Sequence, residues 1–178
     1  MNILAISGSG RADSTNTAML RAVARIARPA HEVTVFAEVA GLPVFSPDLE
    51  AGPLPETVAH FVGLIERSDA VIISSPEYVR AIPGGMKNAI DWLVSRDEII
   101  TKPIVLMHCS HRGDDMLEQL RLVLATVSQR FREDLFLRFH FMKLSPGEIA
   151  TRMASPGNQK AVAGFLKDLA EFCGQDPA

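Results

Sequence analysis

The run Ala70-Val71-Ile72-Ile73 contains no polar residue to set an alternation, and it stands between Asp69 and the turn-forming Ser74-Ser75-Pro76. A strand with one wet face alternates apolar and polar side chains. A strand without that alternation is covered on both faces, the condition of a central strand in a parallel sheet. Ile104 to Met107 repeats the pattern. The apolar run Asn2 to Ile6 and the β-branched segment His31 to Phe36 read as two more strands. Asp134 to Met142, where Leu135, Leu137, Phe139 and Phe141 alternate with other residues, reads as a fifth.

Between these runs the period changes. Thr15 to Ile26 sets Met19, Val23 and Ile26 at helical spacing, and Glu56 to Glu66 does the same with Val58, Phe61, Val62 and Ile65. Pro83 to Val94, Asp114 to Val127 and Asn158 to Phe172 are the other predicted helices, while Ala37 to Pro55 reads as a long connection. Alternating strands and helices joined by short turns imply a parallel sheet with helices on both faces. Five strands fit the flavodoxin-like order, an α/β/α sandwich of three layers around a five-stranded parallel sheet. No linker or repeat divides the chain, so residues 1–178 read as one domain.

A formal net charge of -3 argues against the basic stripe that nucleic acid requires, but leaves room for a local positive pocket. The two cysteines, Cys109 and Cys173, lie far apart and have neither zinc-ligand spacing nor the density of a disulfide scaffold. The five histidines show no zinc spacing either. A reduced cytoplasmic protein is the simplest expectation. Met1 to Ser7 lacks the charged start and the length of a signal peptide, and no apolar run reaches membrane-spanning length.

Two loops carry chemistry. Ser7 to Thr17 joins the first strand to the first helix, at the sheet edge where doubly wound folds bind ligands. A helix N-terminus offers unpaired N–H groups and partial positive charge, so an anion is favoured there. Ser9, Ser14, Asn16 and Thr17 add hydroxyls and an amide, and Arg11 adds a planar cation suited to phosphate oxygens. A dinucleotide fingerprint would need a third glycine where Asp13 stands, and a P-loop would need a lysine that is absent. The expected ligand therefore ends in a single phosphate, as FMN does. A plain turn with a Ser or Asn helix cap is the alternative for this loop alone.

The second loop, Ser74 to Pro83, follows the third strand onto the same edge. Pro76 and Pro83 stiffen it, and Tyr78 offers a surface for a flat ring, although a core aromatic is the plainer reading of Tyr78. Met86 and Trp92 read as core or subunit contacts, and Lys87 and Asp91 as an exposed i,i+4 pair.

Gly8-Ser9-Gly10-Arg11 with Ser14 and Asn16, then Pro76-Glu77-Tyr78, Ile82-Pro83-Gly84 and Lys87-Asn88-Ala89-Ile90-Asp91-Trp92, resemble the NADPH-dependent FMN reductase family, which includes quinone, chromate and azo-compound reductases. The resemblance implies a flavodoxin-like fold and bound FMN, with Ser9, Arg11, Ser14, Asn16 and Thr17 holding its phosphate. It implies that Pro76, Glu77, Tyr78 and Val79 line the isoalloxazine ring. In a third loop after the fourth strand, Ser110, Arg112 and Gly113 are expected beside the ring. It further implies NADPH or NADH as co-substrate, a small electron acceptor such as a quinone, free flavin or azo compound, and a homodimer or homotetramer.

Two departures stand out. Val79 replaces the usual Asn after Pro-Glu-Tyr, and Asp114-Asp115 follow Gly113 where the family tends to small residues. The two acids read best as a helix N-terminus stabilised by negative charge. The same fold also serves as an electron carrier fed by a protein partner, or as a regulatory scaffold without flavin, and fold alone does not choose among these.

Overall fold

In the computed structural model, which describes residues 1–175, five parallel strands form one sheet: β1 (Asn2–Ser7), β2 (Glu32–Phe36), β3 (Ala70–Ser74), β4 (Ile104–His108) and β5 (Phe131–Arg138). Their spatial order is β2-β1-β3-β4-β5, the flavodoxin-like order. The unbroken apolar runs now have a physical reason. In β3, Val71 and Ile73 enter one core, while Ala70 and Ile72 enter another on the opposite face.

The first core joins Leu4, Ile6, Ile104 and Leu106 to Phe61 and Ile65 of α3 (Glu56–Glu66) and to Leu117 and Leu120 of α6 (Asp114–Val127). Trp92 and Met86 lie fully within it, so both are core residues. The second core joins Ile3, Ala5, Val105 and Met107 to Met19 and Val23 of α1 (Thr15–Ile26) and to Leu166 and Leu169 of α8 (Pro156–Cys173).

The chain leaves β1 by α1, which packs in the second core, and leaves β3 by the helix Gly84–Asp91, which packs in the first. The connections after β1 and β3 therefore run to opposite faces, which opens a crevice at the carboxyl ends of these strands. Register brings the two loops into contact, since Ser7 pairs with Ser74 and Gly8 N–H donates to the Ser74 carbonyl at 2.8 Å.

Several boundaries differ from the sequence reading. The fifth strand runs from Phe131 to Arg138 rather than from Asp134 to Met142. Its first half carries Arg132, Glu133 and Asp134 on an edge strand, where charge is tolerated and hides the apolar period. Phe139 and Phe141 follow the strand. Their N–H groups donate to the His108 and Cys109 carbonyls at 2.7 and 3.1 Å, and their buried rings stack. The predicted helix at Pro83 is α4 (Gly84–Asp91), with Pro83 as its N-cap. The long connection holds a 3-10 turn at Val39–Gly41 and the single-turn α2 (Pro47–Glu50). Two further helices, α5 (Asp97–Ile100) and α7 (Pro146–Met153), were not expected.

Asn88 explains part of the motif in α4. Its Oδ1 accepts from Phe45 N–H at 2.8 Å and its Nδ2 donates to the Pro43 carbonyl at 2.9 Å, while Trp92 Nε1 donates to that carbonyl at 2.8 Å. These bonds fasten the segment beyond the 3-10 turn beside the first loop. The Lys87–Asp91 pair sits at 2.5 Å on a solvated face.

Candidate functional site

The first loop is braced by its own side chains. Ser9, Ser14, Asn16 and Thr17 are all buried. Ser14 caps α1 by accepting from Thr17 N–H at 3.3 Å, and the hydroxyls of Ser7 and Thr17 meet at 2.8 Å. Asn16 Oδ1 accepts from Ser74 Oγ at 2.8 Å and from Cys109 Sγ at 3.2 Å, so the end of β3 and the residue that follows β4 meet at one amide. With Oδ1 committed, the N–H donors are what Asn16 has left for a ligand. Ser9 Oγ accepts from Arg11 N–H at 3.2 Å, and the Arg11 guanidinium donates to the Asp13 carbonyl at 2.8 Å. That guanidinium forms no ion pair with a carboxylate among the described residues.

Gly8 is required by space. A Cβ there would stand 2.5 Å from Ser75 Oγ and 2.8 Å from Ser75 Cβ, so the first and second loops touch backbone to side chain.

The second loop ends in a two-residue turn. Tyr78 and Ala81 exchange backbone hydrogen bonds at 3.2 and 3.0 Å, and both residues between them are left-handed, Val79 at φ 52° and Arg80 at φ 58°. Asn and Gly suit such a turn, whereas a β-branched side chain is strained there. Val79 is 99% exposed and Tyr78 48%, so the turn projects into solvent. Three contacts hold it to α6. Met116 N–H donates to Glu77 Oε2 at 3.1 Å, Gln119 Nε2 donates to the Arg80 carbonyl at 2.9 Å, and Arg80 pairs with Asp115.

The acids after the third loop sit in the first turn of α6, and both are paired. Asp114 meets Arg138 and Asp115 meets Arg80, each at 2.5 Å, and these guanidinium partners hold both carboxyls below the usual range. Cys109 is buried, and desolvation pushes its thiol up to about 11.

A cleft of about 740 Å³ opens at the carboxyl ends of the strands. Of the sequence-predicted site residues, Arg11, Asn16, Pro76, Glu77, Ser110, Arg112 and Gly113 line it. Ser9, Ser14 and Thr17 brace the loop behind it, and Tyr78 and Val79 are not part of its lining. Sequence reasoning missed the turn from Met142 to Glu148, which forms the far wall, and His108, which lines the cleft beside Gly113. The turn's one sequence signal is that of a helix start. Ser145-Pro146-Gly147-Glu148 forms a capping box, in which Ser145 Oγ accepts from Glu148 N–H at 3.3 Å and Glu148 accepts from Ser145 N–H at 2.8 Å. Among the described residues there is no cluster suited to a metal ion, and no helix is long and apolar enough to cross a membrane.

The family model described as NADPH-dependent FMN reductase matches residues 1–134. The chain belongs to the NADPH-dependent FMN reductase family. The match covers β1 to β4 and ends inside β5, so the first and second loops and Ser110 to Gly113 lie within the family region and the Met142–Glu148 turn lies beyond it. Among relatives of this FMN reductase family member, a quinone reductase of Pseudomonas putida is 40% identical over 90 residues, covering 51% of this chain and 48% of the relative. A quinone reductase of Escherichia coli is 32% identical over 113 residues, covering 62% and 60%. The chain thus spans only about half to three-fifths of the curated relatives it matches. Among solved structures, the flavoenzyme NAD(P)H:(acceptor) oxidoreductase FerB of Paracoccus denitrificans superposes with a TM-score of 0.73 at 24% identity, over 96% of this chain and 98% of that one. This likeness shows the fold.

Proposed function

We propose that this chain binds FMN in the cleft and passes electrons from NADPH or NADH to a small acceptor, with a quinone as the first candidate. The observation that carries the reading is the placement of the α1 N-terminus, Arg11 and the buried hydroxyl-and-amide loop at one end of a cleft whose other walls are Pro76–Glu77 and Ser110–Gly113. A volume of about 740 Å³ suits a cofactor of this size.

The residues fit the group. Arg11 and the first N–H groups of α1 are the anion-binding elements, and the bonds of Ser7, Ser74 and Cys109 hold Thr17 and Asn16 in place beneath them. Pro76 would give a rigid wall for a flat ring, and Glu77, beside it in the cleft lining, accepts from Met116 N–H, which fixes that side chain to α6. When bound, FMN supplies the two-electron chemistry that no side chain here provides. The Pro76–Glu77 and Ser110–Gly113 walls would hold and orient that group in the cleft. The quinone class comes from the names of the relatives, and a homodimer or homotetramer is part of the same reading through the family resemblance.

The test is spectroscopic. Protein loaded with FMN and freed of excess should keep the flavin absorbance, and anaerobic NADPH or NADH should bleach it. Flavin retained but not bleached by either donor would favour an electron carrier with a protein partner. A protein that retains no flavin would overturn the reading. Arg11→Ala should weaken FMN by roughly 10- to 100-fold, as loss of a charge-assisted hydrogen bond does, and leave riboflavin, which has no phosphate, unchanged.

A further inference from the structure

His108 closes β4 beneath the third loop and is 1% exposed. Its Nε2 lies 2.6 Å from the Arg112 carbonyl oxygen. A carbonyl only accepts, so Nε2 carries the hydrogen and Nδ1 is left as a lone-pair acceptor. Nδ1 is buried, and no protein donor reaches it.

The loop is fitted to this ring. Gly113 is left-handed at φ 100°, and a Cβ on it would stand 2.9 Å from His108 Nε2 and 3.1 Å from Cε1. Within the loop, Arg112 N–H donates to Ser110 Oγ at 3.0 Å. A buried imidazole with an orphaned nitrogen is a costly way to fill a core position, and the strand before it, Ile104 to Met107, is wholly apolar. What the imidazole adds over a leucine is the one N–H that the Arg112 carbonyl receives.

We propose that His108 is a positioning residue for ligand binding, whose Nε2–H pins the Arg112 carbonyl against β4 and thereby fixes the Ser110–Gly113 wall of the cleft. The pin works with a neutral ring. Burial holds His108 below the ordinary histidine range and the Arg138 charge acts the same way, against the Asp114 charge and the Arg112 and Ser75 backbones. The identity of the ligand rests on the flavin reading above, and the state of the loop does not.

The test compares full-length wild type with His108→Leu and His108→Gln, since the glutamine amide reaches about as far as Nε2 and donates likewise. Nitrogen NMR of the ligand-free protein should show the Nε2–H tautomer. In H108L, amide exchange at Ser110 to Gly113 should rise at least about tenfold with β3 unchanged, and FMN affinity should fall by a similar factor. H108Q should restore both to within about threefold. An Nδ1–H tautomer, wild-type behaviour of H108L, or equal loss in H108Q would overturn the proposal. If H108L does not fold, the tautomer and H108Q decide. If wild type binds no FMN, the flavin reading falls, and tautomer and exchange still decide the role of His108.

Discussion

The guanidinium of Arg80 meets the carboxylate of Asp115 at 2.5 Å, joining the tip of the second loop to the first turn of α6. Both side chains face water, and exposed pairs of this kind add little to global stability. Their effect is on where the loop rests. Asp115→Asn should leave the melting temperature unchanged while weakening FMN by roughly three- to tenfold, more at low salt than at high. Arg80 depresses the Asp115 carboxyl, so the tie is complete above the ordinary carboxylate range and is lost as pH falls through the lowered value. Thermal melts and flavin titrations at two salt concentrations check this. A lower melting temperature with unchanged affinity would assign the pair to the fold instead.

Val79 holds a left-handed backbone with a fully solvated side chain. Its replacement loses no packing and relieves strain, so Val79→Gly should stabilise the protein by about 1 kcal/mol in urea unfolding. A destabilised variant would mean that the valine side chain makes contacts in solution.

Gly8→Ala presses a methyl into Ser75 and forces the first two loops apart. The expected cost is roughly 1–3 kcal/mol, measured by chemical denaturation. Gly84→Ala is the control, because a Cβ there meets nothing within 4 Å, and it should be neutral or stabilising by a few tenths of a kcal/mol, as such changes are at unstrained sites. Equal costs in the two variants would remove the steric account.

The Cys109 thiol is pushed up to about 11 by burial. It should resist aromatic disulfide reagents at pH 8 in native protein and react once unfolded. Because the folded value lies above the unfolded one, its contribution to stability is complete below the unfolded value of about 8.5 and is lost as pH rises to about 11. Cys109→Ser should flatten that alkaline limb, as followed by denaturation midpoints between pH 8 and 11.

The strands β3 and β4 were legible because burial on both faces leaves only apolar residues, and helices α1, α3 and α6 because each keeps one apolar stripe. β5 was displaced because an edge strand tolerates Arg132, Glu133 and Asp134, which break the period by which strands are recognised. The first loop was readable from Ser, Asn and Arg at a strand-to-helix turn. The far wall was not, since Met142 to Glu148 carries no ligand-like spacing and its one signal, the Ser145–Glu148 box, marks a helix start rather than a site. In the sequence His108 is one of five histidines without zinc spacing. Only the folded chain shows the carbonyl four residues on that gives it work.

Ser7 with Thr17, and Ser74 and Cys109 with Asn16, are bonded to one another by the protein's own groups at the ends of β1, β3 and β4. A recess braced this way owes its bracing to the fold and not to what it binds. On the flavin reading, occupancy is then a matter of supply. The folded protein would persist as a standing reserve, filled or vacant according to the flavin around it, and the cofactor would come and go without unfolding its host.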